Sequence, residues 1–311
     1  MLNRFTKLFA VFFLINFSIS FSACRSEVIY EKEFDNKDLQ VLHEKSFSMS
    51  PGKSLRIEGS SGDIKITGWD KSEVYVKITG NDKAKEKYDF IFDESSDEIY
   101  IKAEKESSIF SWGGVKLKFE VKVPSSFNPK IATSGGDIRL AGVRGDIVLN
   151  TSGGDVTTRY TEGKLRISTS GGDINFQDNK GTIKATTSGG DITGKNFEGD
   201  INVKTSGGDI ELNGKNSKIE ASTSGGDVQL VYTGENKGIE LSTSGGDIYA
   251  SLPSDFNASA KIYSAAGGVK CDFNASNVKQ ISSSRFEADI NGGGNPFIAK
   301  TSGGSVRVKK S

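Results

Sequence analysis

Seven aspartates stand at near-equal intervals in this 311-residue chain: Asp137, Asp155, Asp173, Asp191, Asp209, Asp227 and Asp247. Each closes a Thr-Ser-Gly-Gly-Asp run. The runs start at Thr133, Thr151, Thr169, Thr187, Thr205, Thr223 and Thr243, in steps of 18 residues with a last step of 20. A row of carboxylates invites a row of cations, and calcium is the natural match for hard oxygen ligands. The alternative is a structural turn column, in which the carboxylates accept N–H groups of the Gly-Gly turn with support from the serines. Stacked at the inter-strand spacing of ~4.8 Å, neighbours repel by about 3.5 kcal/mol at an effective dielectric of 20 and by about 0.9 kcal/mol in water. Some partner must offset that charge.

Calcium-binding β-rolls repeat Gly-Gly-x-Gly-x-Asp nonapeptides. Here the second glycine is missing and each repeat has one acidic turn, not two. The column is therefore expected to be structural, with no metal and no cofactor; calcium and a polar ligand-binding ridge are the weighed alternatives. Catalysis by paired carboxylates needs unlike groups converging at one place. These acids repeat identically along the chain, as structure requires. His43 is the single histidine, so a Ser-His-Asp set has nowhere to form, and no phosphate loop or metal-ligand motif is present. His43 lies in an early polar stretch and is expected to face solvent. The chain is expected not to be an enzyme.

Forty basic and forty acidic side chains cancel, which argues against nucleic acid as a partner. Of the two cysteines, Cys24 follows an export signal: Arg4 and Lys7, an apolar run from Leu8 to Ile15, then Phe21-Ser22-Ala23-Cys24. The last four residues resemble a bacterial lipobox, with Phe21 where leucine is usual. Lipidation of Cys24 is the expectation; simple secretion and an uncleaved anchor are the alternatives. Loss of residues 1–23 removes two bases and no acids, leaving a net charge of −2. Cys271 is then unpaired, and a buried inert thiol is the expectation. Trp69, Phe110 and Trp112 are the aromatic candidates for ligand contact, with packing as the competing role.

The elements that position these residues follow from the repeat. Counting each Thr as position 1, position 6 is Ile138, Val156, Ile174, Ile192, Ile210, Val228 and Ile248. Position 8 is more varied, including Leu140, Thr158, Phe176, Gly194 and Leu212. Positions 15 and 17 hold pairs such as Ile147 with Leu149 and Leu165 with Ile167. This is strand alternation twice per repeat, with no helical period. Two short strands cannot bury a face alone, but stacked repeats can. The spacing predicts an all-β parallel β-solenoid, a β-helix of 18-residue rungs, right-handed by the crossover rule.

Gly-Gly is expected to supply positive φ at the chain reversal. Phe176 with Ala185, and Gly194 with Val203, suggest size compensation within a rung.

Residues 51–68 read as a first rung. Residues 74–123 alternate as an antiparallel strand insertion, with Lys83 to Lys87 a solvated loop or one helical turn. Val123-Pro124-Ser125-Ser126-Phe127-Asn128 is echoed by Leu252-Pro253-Ser254-Asp255-Phe256-Asn257. The terminal Arg307, Lys309 and Lys310 are expected to guard an open solenoid end. The organisation expected is residues 1–23 signal peptide, 24–50 tether and lead-in, 51–128 first rung plus antiparallel strands, and 129–311 solenoid repeats.

The run from Leu55 to Asp70, with Ser60-Ser61-Gly62-Asp63-Ile64 inside it, and the recurring Ser-Gly-Asp-Ile pattern resemble a widespread bacterial family of proposed adhesins of unknown function, related to the head GIN domain proteins. The resemblance covers about residues 45–311. It implies a β-solenoid and supplies no catalytic residues. The expected function is structural display or adhesion by a bacterial cell-envelope lipoprotein, held to the outer membrane or cell surface by lipid on Cys24. Its ligand would be an unidentified protein or polysaccharide. The alternatives are an envelope-stress sensor or scaffold binding an envelope component, and a polysaccharide-active β-helix enzyme.

Overall fold

Alternating burial turns the repeat into two sheets. The computed structural model describes residues 39–105 and 114–311. Arg4, Lys7, the apolar leader, Cys24, Phe110 and Trp112 lie outside these described residues. Strands that follow the glycine-pair turns form a first face: Ile138–Ala141, Val156–Arg159, Ile174–Gln177, the start of Ile192–Lys204, Ile210–Lys215, Val228–Thr233 and Ile248–Leu252. The second strands of the repeats form a second face: Arg144–Asn150, Glu162–Ser168, Lys180–Thr186, the end of Ile192–Lys204, Lys218–Ser222 and Ile239–Thr243. Pairing is parallel and in register. Val156 pairs with Ile138 and Ile174, and Leu165 pairs with Ile147 and Ile183. The inward residues of both faces make one continuous aliphatic core. The chain is all-β and solenoid-like.

The glycine pair works by closeness, not by conformation. Neither glycine of any pair lies in the left-handed φ region, contrary to the positive φ expected from sequence. A Cβ on the second glycine would strike the carbonyl of its counterpart one rung away: 2.1 Å for Gly154 against Gly136 and 1.9 Å for Gly172 against Gly154. The first glycine is freer; a Cβ on Gly171 would come no nearer than 3.9 Å to Ser152 O. Positive φ is used instead at the opposite corner, at Tyr160 (53°), Asp178 (55°) and Asn196 (50°). Asp and Asn tolerate that region. Tyr160 is the odd member and is exposed.

Threonine fastens each turn to the next. Thr151 Oγ1 donates to Gly136 O at 3.0 Å and accepts the Gly154 N–H at 3.3 Å. The same clip recurs at Thr169, Thr187, Thr205, Thr223, Thr243 and Thr301. Size compensation runs along the stack, not across one rung as expected. A Cβ on Gly194 would lie 2.3 Å from Phe176, and one on Gly214 would lie 2.3 Å from Phe197. The two phenylalanine rings sit 5.7 Å apart.

Both ends are interleaved. The rung formed by Ser54–Gly59 and Asp63–Trp69 is flanked on one side by Glu98–Lys105 and Leu117–Pro124. On the other side lie Asn128–Thr133 and Ile138–Ala141. Passing from Pro124 to Asn128, the chain vaults over one rung, and buried Phe127 fills the corner. The echoed segment does the same at the other end. From Leu252 to Ala258 the chain vaults over a rung that arrives later, Pro296–Thr301 with Val306–Lys310. Arg307, Lys309 and Lys310 therefore sit in an interior rung, not at an open end as the sequence suggested.

Antiparallel strands close the stack. Gln40–Ser48 pairs with Glu73–Gly80, which pairs with Leu117–Pro124, while Tyr88–Glu94 pairs with Glu98–Lys105. One helical turn, Asp82–Lys87, is capped by Asn81, whose side chain accepts the Ala84 N–H at 3.0 Å. At the far end Arg285–Ile290 pairs antiparallel with both Ala258–Ser264 and Ala275–Ile281. Among the described residues no helix is long and apolar enough to cross a membrane.

Candidate functional site

The aspartate column is a ladder of carboxylate-to-backbone hydrogen bonds. The Asp155 N–H donates to Asp137 Oδ1 at 3.0 Å, and the Asp173 N–H to Asp155 Oδ1 at 2.8 Å. The pattern continues through Asp191, Asp209, Asp227 and Asp247 at 2.7–2.9 Å. It starts at Asp63, which accepts from the Asp137 N–H at 3.0 Å. It ends where the Ser305 N–H donates to Asp247 Oδ1 at 2.7 Å. The donor is the next aspartate's own backbone, not the glycine turn or the serines named as partners from sequence. Each carboxylate thus gains a backbone dipole that offsets repulsion along the row.

The two ends of the ladder differ electrostatically. Burial, with the like charge of Asp137 behind it, pushes the Asp63 carboxyl up. The Ser305 N–H and the Tyr249 hydroxyl hold the Asp247 carboxyl below its ordinary range. Among the described residues no group of three His, Cys, Asp or Glu side chains is placed to hold a metal ion.

The remaining sequence candidates scatter. His43 is not solvent-facing as expected: it packs on the rings of Phe90 at 4.9 Å and Phe92 at 5.4 Å, and burial lowers its pKa. It is a cap contact far from the central aspartates in the stack order. Cys271 occupies the expected register, opposite Val308, but on an edge strand that leaves it half-buried. Burial pushes its thiol up. Trp69 is half-buried at the capped end. Its Nε1–H donates to Glu73 O at 2.8 Å, and the Lys71 and Lys122 ammonium groups sit 4.8 Å and 5.6 Å from its ring. Its polar edge and its ring are engaged within the chain.

The structure brings together a group that the sequence order conceals. Tyr249 and Arg307, distant in sequence, are register partners on adjacent first-face strands, and Arg307 is in turn partnered by Lys270. Lys309 lies beside Ser251 on the same surface. Tyr249 donates its hydroxyl proton to Asp247 Oδ2 at 2.7 Å. That hydrogen bond raises the Tyr249 pKa. Sequence order hides this pairing, because the rung beside Tyr249 in space is the last in the chain. The echoed Pro-Ser-x-Phe-Asn segment was the available signal, since its first copy already stands beside an out-of-order rung.

No curated protein matches the chain. Among solved structures it is similar to a lipid-binding protein candidate from Parabacteroides distasonis, at 14% identity and a TM-score of 0.43, over 88% of this chain and 98% of that one. It is also similar to an adhesin candidate from Bacteroides fragilis, at 14% identity and a TM-score of 0.41, over 88% and 98% of the two chains. A third, an adhesin candidate from Parabacteroides merdae, shows 12% identity and a TM-score of 0.42 over 88% and 97%. The family comparison covers far more than half of the chain and takes in all of its rungs: residues 52–309 match the profile of Toastrack DUF4097, and the chain belongs to that family.

Proposed function

We propose that this protein is an exported, non-catalytic display or adhesion module of the bacterial cell envelope, anchored through lipid on Cys24. On this reading the stack is a right-handed solenoid of 18-residue rungs, akin to those of head GIN domain proteins, and its aspartate column is purely structural. Residues 1–23 are a signal peptide and 24–50 begin as a tether. The observation that carries the proposal is the continuous in-register stack, whose side chains alternate between a sealed core and two long outward faces. Such a body offers extended surface at fixed spacing, which suits presentation to a large partner. Each carboxylate of the column accepts one backbone N–H on Oδ1, the same on every rung, which supports a structural role.

The test is protease shaving of intact cells, paired with metabolic labelling by a fatty acid. Surface display predicts cleavage of the intact-cell protein and lipid on the wild type, lost in Cys24→Ser. Full protection in intact cells with cleavage after permeabilisation would overturn display and favour a periplasm-facing scaffold. Absence of label on the wild type would overturn the anchor.

A further inference from the structure

We propose that the outer surface of the first face, centred on Tyr249 and Arg307, binds acidic polysaccharide. The site rests on the display reading above, and names the chemistry that such a display would present. Three cations gather there, Arg307, Lys270 and Lys309, around one carboxylate, Asp247, whose charge Arg307 helps to stabilise. Some cations elsewhere on the stack are paired, such as Arg139 with Asp137 at 3.2 Å, Arg166 with Asp146 at 2.6 Å and Lys204 with Glu220 at 2.8 Å. Three cations around one carboxylate leave a local positive excess, which favours an anionic occupant.

Tyr249 adds the second element. Tyr249 is 39% exposed although it stands within a strand. The hydrogen bond to Asp247 ties down its tip, so little freedom is lost when a ligand stacks on it. Two shallow grooves meet at this ridge. One, of about 470 Å³, runs past Gln229, Ser251 and Lys309; the other, of about 230 Å³, runs past Asp247, Ser305 and Lys270. Tyr249 and Arg307 line both.

An aromatic face flanked by a planar guanidinium and two ammonium groups suits a uronate chain. The ring takes the apolar C–H face of a sugar, and Arg307 takes its carboxylate in a fork. Rungs at ~4.8 Å match roughly one sugar residue per step. A polynucleotide fits less well, because the basic track is short: the same column continues inward as Gln229 and then Glu211.

The test uses detergent-purified full chain in affinity electrophoresis through gels containing polygalacturonate, alginate or neutral dextran. The expected result is retardation by both acidic polymers and none by dextran. Tyr249→Ala and the double variant Arg307→Gln/Lys309→Gln should each weaken polygalacturonate binding at least tenfold, with both variants folded and the melting temperature of the double variant equal to wild type. Failure of polygalacturonate to retard the protein, equal retardation by dextran, or wild-type affinity in the well-folded double variant would overturn the site. So would tighter binding of a single-stranded oligothymidylate. Shaving separates the two proposals: a purified protein that binds but is protected in intact cells refutes display and keeps the site. A shaved protein that does not bind refutes the site and keeps display.

Discussion

Replacing Gly172 by alanine puts a Cβ 1.9 Å from the carbonyl oxygen of Gly154, whereas the same change at Gly171 meets nothing nearer than 3.9 Å. Neither glycine occupies the left-handed region, so backbone conformation does not separate them. At Gly172 the turn must move away from the rung beside it, and two hydrogen bonds made by side chains bridge that gap. They are Thr169 Oγ1 to Gly154 O at 3.0 Å and Asp173 N–H to Asp155 Oδ1 at 2.8 Å. At about 1 kcal/mol each, with overpacking strain of about 1–3 kcal/mol, the loss comes to ~3–5 kcal/mol. Gly171→Ala should instead gain about 0.4–1 kcal/mol by restricting the unfolded chain. Urea and thermal unfolding of both variants give the comparison, with Gly172→Ala melting roughly 10 °C below wild type. Amide exchange should localise the damage to the Thr169–Asp173 turn and its neighbours, since each rung contacts only the next. Equal effects from the two substitutions, or a loss below ~1 kcal/mol at Gly172, would refute the claim that closeness between rungs dictates this glycine.

Further outcomes follow from the same geometry. Asp191→Asn keeps an acceptor for the Asp209 N–H and should stay within ~0.5 kcal/mol of wild type in urea unfolding, whereas Asp191→Ala orphans that N–H and should lose about 1–3 kcal/mol. The Asp247 carboxyl has a folded pKa below its unfolded value, so its contribution is present above the unfolded pKa and lost as pH falls through the folded one. Asp63 has the opposite sign, favouring the fold at low pH and losing that contribution as pH rises through its folded pKa. In melting profiles from pH 7 to pH 3, Asp247→Asn should flatten the acid limb and Asp63→Asn should steepen it. Gly194→Ala should destabilise by driving a Cβ into Phe176, and Phe176→Leu in the same chain should recover part of the loss in a double-mutant cycle. Cys271 should react with iodoacetamide far more slowly in the folded chain than in urea, because burial raises its thiol pKa.

The columns were legible in sequence because strand periodicity and a fixed repeat point the same way: Ile174 and Ile192 could only be neighbours on one inward row. The role of Gly172 was not, since a glycine needed for closeness and one needed for positive φ look alike until rungs are stacked. The partner of each aspartate was hidden for the same reason. Its donor lies one whole repeat away, while local reasoning searches the nearest turn. His43 was misjudged because its polar neighbours in sequence are not its neighbours in space; Phe90 and Phe92 arrive from another strand. The Tyr249–Arg307 pair required the out-of-order final rung, and no local pattern near Arg307 says where that rung inserts.

A stack of near-identical rungs faces a register problem that its regular features cannot solve. Sliding by one repeat would leave every Thr clip, Asp bond and glycine contact intact, since each recurs at the same position. What resists the slip is what departs from the repeat. Phe176 needs Gly194 beside it, and Phe197 needs Gly214. Buried Asn179 donates to Thr158 at 3.3 Å and to Thr161, and no other rung offers that pair. Tyr232 reaches a single partner set, accepting from the Ser217 N–H at 2.7 Å and donating toward Glu235 O at 2.6 Å. Asn179 Oδ1 is buried without a partner among the described residues, so this trio is a poor source of stability and a good source of uniqueness. The interleaved ends act in the same sense. A rung that must fit between two others, as Ser54–Gly59 and Pro296–Thr301 do, can enter at one position, and it fixes the register of everything between. Repetition thus supplies the cohesion of the stack, and the irregular rungs and vaulted ends supply its single alignment.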